Sequence, residues 1–263
     1  MLSKLLKYDL KYMIKNMSVF YILAIFFAIT TRILFALKQT VIITIISQIS
    51  LGCMYSMAAS VFFNTVIHSW VRFRDSIYKD ESYLTHTLPV TKNELYDSKF
   101  IQTLIFFIVG FGVAILSLFI TYYTKERWLL ITGLVKKITT GLNFNTTLFV
   151  VGMIAVVFLE IFNAIQCGYL GLLLGHRRNN GKLGYSVLFG FLAYLMAQSL
   201  VLFLVFIAGL FNSSIMDLFK SEILLDTGSF KLLMLLSVIL YVVIIAAMNL
   251  LCKKVFNKGV NIE

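Results

Sequence analysis

Charge is scarce in this chain. Only 13% of its 263 residues are charged, against 60% hydrophobic, a balance that excludes a soluble globular domain. Cysteine is as sparse: Cys53, Cys167 and Cys252 stand far apart, each in or beside an apolar run, and no C-x-x-C occurs. His68, His86 and His176 are equally scattered. Neither a zinc site nor a disulfide framework is indicated, and the cysteines read as small hydrophobes. A G-x-x-x-x-G-K-[ST] loop is missing. The nearest stretch, "GHRRNNGKL" from Gly175 to Leu183, has five residues between its glycines rather than four and ends in Leu. It also follows an apolar span instead of a strand, so it is not read as a phosphate cradle. Proline occurs once, at Pro89. No repeat or linker divides the chain, which reads as a single domain over 1–263.

What is present is apolar sequence in long runs. They cover about 17–37, 41–68, 100–122, 146–175, 185–211 and 231–252, each near the ~20 residues of helix that cross a bilayer. Aromatic residues make up 15%, mainly 24 Phe and 13 Tyr, as suits helices that meet lipid and headgroups. The fold class is all-α integral membrane, with six transmembrane helices. Ahead of them, "MLSKLLKYDLKYMIKN" sets Leu2, Leu5, Leu6, Leu10, Met13 and Ile14 against Lys4, Lys7, Lys11 and Lys15. That pattern predicts a basic amphipathic helix over 2–15 lying on a membrane surface. It is not read as a cleaved signal peptide, because the polar lead is long and no A-x-A site follows.

Net charge is +11, which is expected to serve orientation rather than nucleic acid, since membrane proteins gather Lys and Arg in cytoplasmic loops. With the N-terminus inside, fifteen basic residues fall in 4–15, 72–99, 177–182 and 253–258. Seven fall outside, at Lys38, Lys125, Arg127, Lys136, Lys137, Lys220 and Lys231. The split favours both termini in the cytoplasm, although 123–145 holds four of the seven. Arg177, Arg178 and Lys182 read as anchors near anionic headgroups. Two outer segments are predicted to be helical: "KERWLLITGLVKKITTGLNFN" (125–145) as an interfacial helix, and 212–229 as a short one opened by Ser214-x-x-Asp217.

Residues 71–99 form the one substantial cytoplasmic loop. Pro89 ends any helix arriving over 76–87, because the residue before a proline is pushed out of helical geometry. Thr91 and Glu94 make a T-x-x-E capping box that restarts one, and Lys99 follows at its entry to the third span. Helix, break, helix is the expected form.

The stretch "ESYLTHTLPVTKNELYDSK", with acids and Tyr-Leu on a short helix, then "TLPV", then a capped helix, resembles the inner loop of type-2 ABC exporter permeases. The leader and six spans in about this length match the same family, so the resemblance covers essentially the whole chain. It implies a multi-pass protein of a bacterial plasma membrane that dimerises, two permeases working with two copies of a separate cytosolic ABC ATPase. ATP and Mg would belong to that ATPase, with no cofactor on this chain and no catalytic residue. Carried over, the docking element is Asp80, Glu81, Ser82, Tyr83, Leu84, Leu88 and Pro89. Tyr83 and Leu84 would fill an apolar cleft on the partner while Asp80 and Glu81 meet basic residues at its rim; the plainer alternative packs Tyr83 and Leu84 back against the membrane interface. The family's small exporters move hydrophobic or amphipathic compounds, antimicrobial peptides among them.

Two residues carry charge inside the spans, away from the terminal residue of any run. Arg32, in the outer part of the first span, can snorkel outward beside Lys38. Glu160 has no such exit and shares a helical face with Asn163 and Cys167, with Gln166 nearby. Such residues face a protein interior or a wet cavity, so Glu160, Asn163 and Gln166 are candidates for a translocation path or for structural bonds between helices. Competing readings are an ion-gradient-driven carrier using Glu160, which would more typically show inverted repeats, and a non-transporting scaffold. A P-loop ATPase in the adjacent reading frame would favour the exporter.

The basic-residue split generates a topology test. With Cys53, Cys167 and Cys252 replaced, a cysteine at Glu263 should resist an impermeant thiol reagent on intact cells and react after permeabilisation. Efficient labelling of intact cells would reverse the orientation.

Overall fold

A computed structural model describes the chain except residues 1, 39, 80, 124, 142, 218–226 and 260–263. Among the described residues all regular structure is helical: α1 (Leu2–Ala36), α2 (Val41–Ile77), α3 (Ser82–Thr87), α4 (Lys92–Tyr122), α5 (Lys125–Gly141), α6 (Thr146–Gly175), α7 (Lys182–Phe211), α8 (Ser213–Asp217) and α9 (Thr227–Asn257). Six of these helices, α1, α2, α4, α6, α7 and α9, are long and apolar enough to cross a membrane. In lipid a helix satisfies its own backbone hydrogen bonds, which is why apolar runs of this length take that form. The protein is an all-α multi-pass membrane protein, and each of the six expected spans coincides with one of these helices, the first running one residue past the end of α1.

The leader is helical over 2–15, as its pattern predicts, but no break separates it from the first span. At 1.5 Å per residue the 35 residues of α1 extend about 52 Å, well beyond the ~30 Å hydrocarbon core. Of 212–229, Ser213–Asp217 forms α8 and Thr227 begins α9; 218–226 lie outside the described residues.

Two compact units make up the chain, one over 1–129 and one over 130–262. In the first, α1 packs against both α2 and α4, which also touch each other. The buried face of α1 runs through Asp9, Met13, Met17, Ala24, Ala28 and Thr31, a spacing of about one helical turn that marks a single stripe. Buried in the same unit are Ser50, Met54, Ala58, Val61 and Thr65 of α2 and Phe106, Gly110 and Ala114 of α4, with Phe106 packed against Met13 and Met17. Small side chains let helices approach closely where lipid removes the hydrophobic drive for association. Hydroxyls add polar links: Thr31 Oγ1 and Ser50 Oγ lie 2.8 Å apart across α1 and α2. Arg32 reaches along the helix to the end of α4, donating to the carbonyls of Ile120 (3.1 Å) and Tyr123 (2.5 Å). A cation there complements the negative C-terminal end of the helix.

The second unit is built differently. α6 packs against α7 and α9, and its contact with α7 is made by backbone. A methyl placed on Gly171 would stand 2.5 Å from Gly190 N and from the Ser186 carbonyl oxygen of α7. Gly175, one turn on, is equally close to Ser186. Beyond these, Cys167 meets Ala193 and Ala197 of α7 and Ile244 and Met248 of α9. At the other end of this unit Phe144, Phe149 and Phe230 cluster, and Lys231 Nζ donates to Asn143 O at 3.3 Å.

Gly171→Val should therefore force α6 and α7 apart and lower stability by about 1–3 kcal/mol, the usual range for overpacking. Gly184 is the control, since a methyl there meets nothing within 4 Å. Thermal unfolding of the two variants in detergent checks this; equal midpoints for Gly171→Val and Gly184→Ala would refute it.

Candidate functional site at the loop between α2 and α4

α2 ends at Ile77, with the Tyr78 amide donating to Arg74 O at 2.8 Å. A tight turn follows, closed by Ser82 N to Lys79 O at 2.7 Å, and α3 begins at once. Thr85 ties back to Glu81 O through both its amide (2.9 Å) and its hydroxyl (2.8 Å). His86 Nε2 lies 3.2 Å from Ile77 O, joining the far end of α3 to the end of α2. Leu88, before the proline, is extended at φ −65° and ψ 141°, as the clash with the proline ring requires. Thr91 then caps α4: its hydroxyl accepts from Glu94 N at 3.2 Å while Glu94 Oε2 accepts from Thr91 N at 2.9 Å. Helix, break and capped helix are thus present as the sequence predicts, with the first helix shortened to Ser82–Thr87.

Beneath α3 lies a cluster of charges that sequence reasoning missed. Asp9 of α1 is only 2% exposed. Its Oδ1 accepts from Lys99 Nζ at 2.5 Å and from Arg72 Nε at 3.1 Å, and its Oδ2 accepts from Ser98 Oγ at 2.5 Å. Arg72 continues outward, donating through Nη1 to Glu81 Oε2 at 2.6 Å. Its guanidinium also lies over the Tyr12 ring, 4.6 Å from the centroid, a favourable cation–π placement. One carboxylate therefore binds α1 to α2 and α4, and the same arginine binds the base of α3. A buried carboxylate is tolerable only when paired and hydrogen-bonded in this way. The signal for it was weak: Asp9 is the sole acid of the leader, four residues before Met13 and eight before Met17 on the buried stripe.

Of the expected docking residues, Asp80 lies outside the described residues. Glu81, expected at a partner's rim, is engaged by Arg72 within the chain while its side chain stays 51% exposed. Ser82 is fully buried. Tyr83 and Leu84 are 66% and 74% exposed, and Leu88 and Pro89 are exposed as well. α3 is thus fastened along one side and presents an adjacent tyrosine and leucine on the other.

In the second unit Asn163 and Gln166 of α6 are fully buried and Glu160 is half-buried. The shared face of Asn163 and Cys167 is real: Cys167 Sγ contacts Asn163 Oδ1 at 3.9 Å. Tyr241 of α9 donates to Gln198 Oε1 of α7 at 3.3 Å, and Glu160 is within electrostatic reach of that tyrosine. The Asn163 Nδ2 atom is buried without a hydrogen-bond acceptor among the described residues. These groups make a polar layer among α6, α7 and α9. The stretch 175–183 forms the turn from α6 to α7, helix to helix, with Gly181 at φ +66°.

No protein-family model matches the chain, and no curated protein or solved structure shows significant similarity to it.

Removing Asp9 would leave Lys99 and Arg72 buried together without their shared counter-charge. Asp9→Ala should cost about 3–5 kcal/mol, the range for breaking a buried ion pair from one side. Adding Lys99→Met should recover part of that loss. Unfolding in detergent measures both; an Asp9→Ala protein as stable as the wild type would mean that the cluster is solvated.

Proposed function

We propose that this chain is the membrane-spanning permease subunit of an ATP-driven exporter, and that α3 with the turn through Pro89 is where a separate cytosolic ATPase docks. The observation that carries this reading is the mounting of α3. A six-residue helix has little stability alone, yet here it is held at Glu81 and His86 while Tyr83 and Leu84 stand free of the chain. Tyrosine and leucine exposed side by side on a fixed helix suit insertion into an apolar cleft, where a few buried anchors dominate binding.

The reading assigns roles as follows. Tyr83, Leu84, Leu88 and Pro89 engage the ATPase, with Ser82 packed beneath them. Glu81 and Arg72 connect the docked helix to Asp9, Ser98 and Lys99, so displacement of α3 acts on α1, α2 and α4 together. ATP and Mg are bound by the partner, two permeases pair with two ATPases, and both termini face the cytoplasm of a bacterial cell. The cargo class is hydrophobic or amphipathic, peptides included. A second reading, proton-coupled transport, draws on Glu160, which lies within electrostatic reach of Tyr241 in the polar layer of α6, α7 and α9.

Replacing both Tyr83 and Leu84 with Asp puts charge into the proposed cleft. Loss of hot-spot contacts costs ~2 kcal/mol or more, so affinity for the ATPase should fall about thirtyfold or further. The variant should insert and dimerise normally but co-purify poorly with the ATPase, and export should stop. Wild-type export should persist when the proton gradient is collapsed and ATP is maintained. Normal co-purification with unimpaired ATP turnover in the variant would sink the docking assignment, and export that follows the gradient would favour the Glu160 reading.

A further inference from the structure

The two units treat charge at their loop ends in opposite ways. In the first unit Asp9, Asp75 and Glu81 pair with Lys99, Lys79 and Arg72, so three cations at that loop end have an acid beside them. In the second unit the turn from α6 to α7 and the end of α9 carry Arg177, Arg178, Lys254 and Lys258. No Asp or Glu occurs between Glu160 and Asp217, and after Asp226 the one acidic side chain is Glu263.

The fold gathers these cations rather than dispersing them. Arg177 Nη2 donates to Val255 O at 3.4 Å, which sets the α6–α7 turn against the last turn of α9. Phe256 and Cys252 are buried on the same stretch of α9. Arg178 is placed over the Tyr185 ring, 5.4 Å from its centroid. Arg177, Arg178, Lys254 and Lys258 are exposed. Like charges brought together in this way repel unless an anion lies among them. Their depth names the anion: they cap spans α6, α7 and α9, where the apolar stretch ends and headgroups begin, and basic clusters at that level bind anionic lipid.

We infer that the α6–α7 turn and the end of α9 form a binding site for the phosphate headgroup of an anionic glycerophospholipid. Arg177 and Arg178 supply forked donors that match a phosphate, Lys254 and Lys258 supply point charge, and Tyr185 carries the amphipathic ring typical of the interface. "GHRRNNGKL" then binds phosphate through its side chains, with no nucleotide involved. This site is independent of the transport reading.

The test uses the full chain in nanodiscs of equimolar phosphatidylglycerol and phosphatidylcholine, extracted gently and examined by native mass spectrometry for retained lipid. The wild type should retain phosphatidylglycerol preferentially. Combining Arg177→Gln, Arg178→Gln, Lys254→Gln and Lys258→Gln should cut that preference roughly tenfold or more. Lys4→Gln with Lys7→Gln should leave it unchanged. Should the fourfold variant fail to fold, the wild-type preference should still fall steeply with added salt, as screening demands. Equal retention of both lipids, a preference surviving the fourfold change or ~1 M salt, or displacement by millimolar inorganic phosphate or an acidic peptide would each overturn the lipid assignment.

Discussion

A single buried carboxylate organises the first unit. Asp9 has almost no contact with solvent, and an isolated charge in such a place costs far more than a domain can spare. The folded state is tolerable only with Lys99, Ser98 and Arg72 in position at once, so α1, α2 and α4 are fixed in rotation and in height relative to one another. The leader cannot lie free on a membrane surface while Asp9 is bound, and the continuity of α1 through residue 36 follows naturally. Arg72 extends the same constraint to Glu81, and α3 inherits its position from a charge on a different helix.

The second unit meets the same physical problem by another route. Apolar side chains gain little from one another when lipid is the alternative, and association must come from close packing or polar bonds. In the first unit the bonds dominate: Asp9 with its partners at one end, Thr31 with Ser50 farther along, and Arg32 on the α4 carbonyls. In the second, Gly171 and Gly175 bring α6 onto the backbone of α7 at Ser186 and Gly190. Asn163 and Gln166 are held inside that packing, with Glu160 less deeply buried alongside.

What could be read in the sequence divides along the same physical line. Spans, the break at Pro89 and the Thr91–Glu94 cap depend on neighbours within a few residues, and each was legible. α5 at Lys125–Gly141 also follows its local pattern. Asp9 with Lys99 and Arg72 was not legible, because its partners are 90 and 63 residues away and each looked like ordinary loop charge. Lys99 and Arg72 read locally as markers of orientation, and nothing near Glu81 in sequence announces the arginine nine residues back that binds it. The leader shows the limit of amphipathic pattern alone. Its lysines describe the exposed side correctly, but only Asp9 and the Met13–Met17 stripe reveal that the other side meets protein.

The mounting of α3 bears directly on how a loop could work a membrane. A docking helix on slack chain would absorb a push by moving alone, and nothing would reach the spans. Here α2 continues past the apolar run to Ile77, five residues before α3 begins at Ser82, and α4 starts at Lys92, five residues after α3 ends at Thr87. His86 joins α3 to the end of α2, and Glu81 joins it to Arg72, one and a half turns back along the same helix at 3.6 residues per turn. Two attachments at separate points resist rotation as well as translation, so torque on α3 is delivered to α2. Arg72 then shares the load with α1 and α4 through Asp9, whose bonds lose most of their value if any one helix lags. Because separating one partner exposes an unpaired buried charge, the three helices move as a group or the cluster breaks. That all-or-none character is what a docking loop needs if the push of a partner is to become a change in the spans.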